Sequence, residues 1–223
     1  MITNSIFNDK ENYKFINEKD VYAYVTLTLL GVLVMFLCDV FAYKTVNFVG
    51  YSMATSGLLF PISIFISDII SERWGVRQAL IFMIYVTTLG IFANFLLWII
   101  STIPGENAQN WTNVFGLNWR VIFSTLFGNS ISFTFNAYAI NFLKKSIYTI
   151  SFAGIYFRDT FCNLFSKFLL VFIAYNITFY GIKSFSSIMT LVISTLIFKI
   201  IFGAILNILI PFILNILNRT IGA

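Results

Sequence analysis

The stretch S-G-L-L-F-P-I-S-I-F-I-S-D-I-I-S-E-R-W-G, residues 56–75, decides how this chain is read. It opens as an apolar helix with Pro61 directly after Phe60. It then carries a carboxylate, Asp68, deep in an apolar run, and a second, Glu72, four residues later. Side chains four apart on a helix project from one face, so the two acids share it. Arg73, Gly75 and Arg77 end the helix and start a basic loop. An aspartate at the centre of a membrane helix costs about 2.5–3.5 kcal/mol on insertion scales, and a bilayer protein that keeps one usually uses it for a pathway or a ligand.

Composition sets the class. Of 223 residues, 59% are hydrophobic and 10% charged, with a mean hydropathy of +0.87. That balance leaves too little polar surface for a water-soluble domain of this size. Several runs exceed the roughly 20 residues a helix needs to cross the hydrocarbon core, and none shows the two-residue alternation of an outer-membrane barrel. The expected fold is all-α: a polytopic membrane protein with six transmembrane helices. The net charge of +5 falls mainly in loops, as the positive-inside rule expects, and does not argue for nucleic acid. The chain has no histidine, which removes histidine-based zinc, haem and triad chemistry. Cys38 and Cys162 both fall in expected helices and read as packing residues. No enzyme activity, metal or cofactor is expected. No cleavable signal peptide is apparent: the first 20 residues are polar and mixed in charge, and the first apolar run is full length.

The expected organisation is a polar cytoplasmic extension over 1–20, a six-helix domain over 21–217 and a short cytoplasmic tail over 218–223. Helices are expected at about 21–43, 50–71, 78–100, 121–143, 156–175 and 187–217, and residues 101–119 form the longest loop. Asp39 and Lys44 close the first helix, where snorkelling to the interface is one reading. The third helix carries Thr87, Thr88 and Asn94 and reads as packing. In the fourth, Asn129, Ser132 and Asn136 make one polar stripe, for which interhelical hydrogen bonding is the plain explanation. The fifth begins with Arg158 and Asp159 and repeats Asp159, Asn163, Ser166 and Lys167 on one face; the sixth repeats Lys199, Gly203, Asn207 and Pro211 at four-residue spacing. Pro211 frees a backbone carbonyl and can kink that helix. Lysine and arginine placement puts both termini in the cytoplasm.

Asp39, Asp68, Asp159, Lys167 and Lys199 are three acids and two bases on different helices. Facing inward they can pair and lower one another's burial cost. The space between them would be a small polar cavity lined by aromatics, suited to a heterocycle with donor and acceptor edges; composition does not choose that over an amino acid or a vitamin.

These residues resemble the queuosine precursor transporters, the vitamin uptake transporter family of bacterial six-helix membrane proteins. F-P-I-S-I-F-I-S-D-I-I-S-E-R-W-G at 60–75 is similar to the family's Phe-Pro, Asp, Glu, Gly pattern. C-D-V-F-A-Y-K at 38–44, Ser56-Gly57, Arg120, Asn163 and F-K-I-I-F-G-A-I-L-N-I-L-I-P at 198–211 come in the family's order. Asp39, Phe133, Asn136 and the pair Ser166-Lys167 depart from the family's commoner residues. The resemblance implies uptake of 7-cyano-7-deazaguanine or a related deazapurine across the bacterial inner membrane, for tRNA modification. Candidate substrate-binding residues are Asp68, Glu72, Asn136, Arg158, Asn163, Lys167 and Lys199. The expected partners are the small-molecule substrate and membrane lipid, with an energising partner or a homo-oligomer left open. The alternative is a substrate-binding membrane subunit of an energy-coupling-factor type vitamin importer.

Overall fold

The computed structural model describes residues 18–48, 51–146 and 152–221. In chain order these form α1 (Glu18–Val40), a hairpin of β1 (Thr45–Phe48) and β2 (Tyr51–Ala54), α2 (Ser56–Trp74), α3 (Val76–Thr102), α4 (Ala108–Phe115), α5 (Asn118–Ser124), a π turn (Thr125–Asn129), α6 (Ser130–Ser146), α7 (Phe152–Phe179), α8 (Phe185–Asn207) and α9 (Leu209–Ile221). Among the described residues four stretches are long and apolar enough to cross a membrane: Glu18–Val40, Val76–Thr102, Ala153–Phe179 and Phe185–Arg219. At 1.5 Å per residue even the shortest runs about 35 Å, past the roughly 30 Å hydrocarbon core. Their outer faces carry exposed Leu29, Leu33, Phe92, Ile193 and Ile201, a surface that suits lipid and not water. Among the described residues the protein is an all-α membrane protein apart from one hairpin.

Helix α2 is built differently. Its 19 residues include Asp68, Glu72 and Arg73, too much charge for a lipid-facing helix. It instead packs against α1, α3, α6, α8 and α9. Twelve of the 19 residues are buried. Phe60, Ile64 and Ile70 join Met35, Phe82, Val86 and Phe133 in the main apolar core. The Phe133 ring meets Phe60 at 6.0 Å and Phe82 edge-on at 6.1 Å. The helix whose sequence is least suited to lipid is thus the one the others surround.

Several expectations are corrected here. The second helix is expected from 50; instead β2 occupies Tyr51–Ala54, paired with β1 so that Thr45 lies opposite Ala54 and Val46 opposite Met53, and helix begins at Ser56. T-V-N-F and Y-S-M-A are rich in β-branched and aromatic residues, which suit a pleated strand. The amide of Thr55 closes the hairpin on the Lys44 carbonyl at 2.7 Å. The expected loop 101–119 contains α4, where Trp111 stacks on Phe115 at 5.9 Å. The expected fourth helix starts earlier, at Asn118, and is interrupted by the π turn. The expected sixth is broken at Ile208 into α8 and α9. Pro211 lies in the first turn of α9 and offers no N–H back to the Asn207 carbonyl, so the ladder cannot run through.

Asp20, expected in a solvated extension, is instead 1% exposed and pairs with Arg73 at 3.2 Å. The rest of that extension, 1–17, lies outside the described residues. Arg73 also bonds Asn218, and Glu72 pairs with Lys144 at 3.2 Å. These contacts gather the start of α1 and the ends of α2, α6 and α9 at one end of the bundle. At the other end Tyr43 donates to the Leu117 carbonyl at 2.8 Å and Arg120 donates to the Tyr180 carbonyl.

Candidate functional site

Two polar clusters are buried between the helices, and each is built on one aspartate. The first belongs to α1. Asp39 is 7% exposed, which excludes snorkelling for it, whereas Lys44 reaches the surface. Asn94 on α3 donates through Nδ2 to Asp39 Oδ2 at 2.7 Å and to the Gly90 carbonyl at 2.9 Å. Asn118 on α5 donates to Asn94 Oδ1 at 3.1 Å, and Thr125 in the π turn donates to Asp39 Oδ1 at 3.3 Å. A buried carboxylate is tolerated when donors occupy its lone pairs, and bonds to a charged acceptor are the stronger kind.

The second cluster belongs to α2. Asp68 is fully buried, and Asn136 on α6 donates to its Oδ1 at 2.6 Å. Ser166 on α7 donates to Asn136 Oδ1 at 3.0 Å and lies 2.8 Å from the Cys162 carbonyl. Ser132 donates to the Ser166 carbonyl at 2.8 Å. Of the polar stripe of the fourth expected helix, Ser132 and Asn136 therefore form the seam between α6 and α7, while Asn129 ends the π turn. Lys167 is 2% exposed and within electrostatic reach of both Asp68 and Lys199. Its Nζ lies against Gly203 of α8, where any side chain would occupy the ammonium's place.

Between the first cluster and Lys199 lies a cavity of about 60 Å³. Asp39, Phe60, Asn129, Tyr175, Phe179 and Lys199 are among its walls. Lys199 is 3% exposed, and its ammonium sits 4.3 Å from the centre of the Phe60 ring. That cation–π contact offsets part of the cost of burying the charge. The Tyr175 and Thr195 hydroxyls bond at 3.0 Å. The cavity thus presents a carboxylate, an ammonium and an amide within aromatic walls.

Of the residues expected in the site, the structure brings Lys199 to this cavity. Asp68, Asn136 and Lys167 form the adjoining cluster; on an ideal helix Asp68 lies about 12 Å along α2 from Phe60. Glu72 lies farther, about 18 Å along from Phe60, in its ion pair with Lys144. Arg158 and Asn163 fall on α7, and their side chains lie outside the described residues. Asn94, Asn118, Thr125 and Tyr175 were not expected. Asn94 carried a signal, since an amide inside an apolar helix needs a partner just as Asp68 does. Asn118 carried none, because it was assigned to a loop.

A polytopic α-helical protein with buried charges around an internal cavity has the build of a small-molecule transporter. A family model described as "Putative vitamin uptake transporter" matches residues 54–214, and the chain belongs to that family. Comparison with curated proteins and with solved structures returns no match.

Proposed function

We propose that this chain imports a queuosine precursor, 7-cyano-7-deazaguanine or a related deazapurine, across a bacterial inner membrane for tRNA modification. The observation that carries the reading is the cavity where the Asp39 carboxylate and the Lys199 ammonium lie within aromatic walls. A 7-deazaguanine offers ring N–H donors to a carboxylate and a ring carbonyl to an ammonium. Its flat faces suit aromatic neighbours. The family to which the chain belongs supports transport, and the resemblance at 60–75 supports the deazapurine.

The cavity's 60 Å³ is room for a few waters at about 10–15 Å³ each. A bicyclic ring enters when the surrounding helices part, as alternating access requires. We assign six crossings, made by α1, α2, α3, the α5–α6 stretch, α7 and the α8–α9 stretch, with both termini cytoplasmic. The basic residues Arg73, Lys144 and Arg219 at the ends of α2, α6 and α9 support that orientation.

The test is complementation. The chain is expressed in a bacterium that neither makes nor imports queuosine precursors, 7-cyano-7-deazaguanine is supplied at nanomolar level, and tRNA is assayed for queuosine. Restored modification is expected. Unmodified tRNA with the protein present in the membrane would overturn the substrate assignment.

A further inference from the structure

The cavity contains one group that the surrounding network leaves unused. Asn129 ends the π turn, is 2% exposed and lines the cavity. Its Nδ2 has no hydrogen-bond partner among the described residues. The amides of Asn94, Asn118 and Asn136 are all bonded. Ser63, Ser71, Trp74, Thr87 and Arg120 also hold buried polar atoms without a partner among the described residues. None of those five lines this cavity. A buried donor left unsatisfied is destabilising, and a native structure that keeps one calls for an explanation.

The π turn supplies the aim. It adds one residue to the path between α5 and α6 and so rotates the facing of α6 by about 100°. Thr125, Gly128 and Asn129 all turn inward. Gly128 presses this segment onto α7, where an added Cβ would lie 3.3 Å from Leu170 Cδ1. Thr125 binds Asp39. Asn129 is left lining the cavity, whose walls also carry that carboxylate.

We propose that Asn129 is a specificity-determining substrate contact, pairing its carboxamide with the lactam edge of a flat heterocycle. A primary carboxamide holds a donor and an acceptor side by side, and a ring lactam is its complement. The Asn129 N–H donates to the ring carbonyl, and its carbonyl accepts from the ring N–H. This assignment rests on the reading of the protein as a deazapurine importer and adds how the ring is selected.

The test is a binding cycle on the full chain in lipid nanodiscs. The probes are 7-cyano-7-deazaguanine and its N1-methyl derivative, which lacks the lactam N–H. Wild type is expected to bind the parent and to lose about tenfold to a hundredfold in affinity on methylation. Asn129→Leu, of similar size but without hydrogen bonds, is expected to bind the parent more weakly by a similar factor and to ignore the methyl group. Asn129→Asp, measured beside it with thermal unfolding as a folding control, loses the donor to the ring carbonyl but keeps an acceptor for the ring N–H, and is expected to bind the parent more weakly while still discriminating against the methyl group. Parent affinity unchanged in both variants, or undiminished discrimination in Asn129→Leu, overturns the Asn129 assignment and leaves the importer reading standing. Failure of wild type to bind either probe overturns the importer reading and this inference with it.

Discussion

The two buried aspartates solve one problem in two ways. Asp68 sits on the helix that the others surround, and its partner Asn136 is itself held by Ser166. Asp39 sits on a helix with a lipid-facing side, and its partners come from α3 and the π turn. The Asp68 cluster is a relay of side chains across α2, α6 and α7. The Asp39 cluster stops at a cavity whose far wall carries Lys199. A buried charge closed in by bonds holds helices in register, whereas one bordering a cavity remains available to something that enters it.

Substitutions can break that comparison. The largest effect is expected from Asp68→Ala, which takes the acceptor from the buried Asn136 amide and a carboxylate from the reach of Lys167. Breaking a buried charged interaction by removing one partner typically costs about 3–5 kcal/mol. Uptake is expected to be lost while the protein still inserts, measured as precursor uptake against the amount in the membrane fraction. Normal uptake would take the α2 cluster out of the transport cycle.

A smaller effect sharpens the Asp39 side. Asn94→Leu removes the donor to Asp39 and the acceptor of Asn118 together. The expected loss is about 1–3 kcal/mol, the cost of leaving buried polar groups unmatched. Asn118→Leu removes one outer bond and is expected to cost nearer 0.6 kcal/mol, roughly the average for an interhelical bond in a membrane. Thermal unfolding in detergent ranks the two. Equal losses would show that the Asn94–Asp39 bond adds nothing beyond the Asn94–Asn118 bond.

The smallest effect on uptake is expected at the bundle end. Lys144→Gln removes the ion pair to Glu72 but retains a donor for the nearby Ser71 and Glu72 carbonyls. Lys144 is about one-third exposed whereas the Glu72 side chain is 3% exposed; the Gln amide can still donate to that carboxylate, so a change of about 1 kcal/mol is expected. Retained uptake in this variant would separate Glu72 from the cavity. Loss of uptake with unchanged stability would return Glu72 to the site.

The residues show why part of this was legible. Asp68, Lys167 and Lys199 stand out because a charge in an apolar run must be enclosed, and the structure encloses each of them. The stripe of Asn129, Ser132 and Asn136 is visible from its spacing; Ser132 and Asn136 form the α6–α7 seam, whereas Asn129 lines the cavity. The hairpin was hidden because four-residue strands between two apolar helices give no periodicity long enough to read. Asn94 was passed over as packing, and Asn118 was placed in a loop. Their importance comes from meeting Asp39, which lies 55 residues from Asn94 along the chain.

By itself the sequence determined that the protein lives in a membrane, that its helices are long and apolar, and that Asp68, Lys167 and Lys199 must turn inward. Hydropathy and charge decide those matters residue by residue, whatever the neighbours are. Only the tertiary structure decided that α2 is the enclosed helix and that Asp39 and Asp68 head separate clusters. It alone parted Asn129 from Ser132 and Asn136, which a regular 3.6-residue repeat puts on one face, because the π turn that leaves Asn129 on the cavity wall has no signal in the sequence pattern.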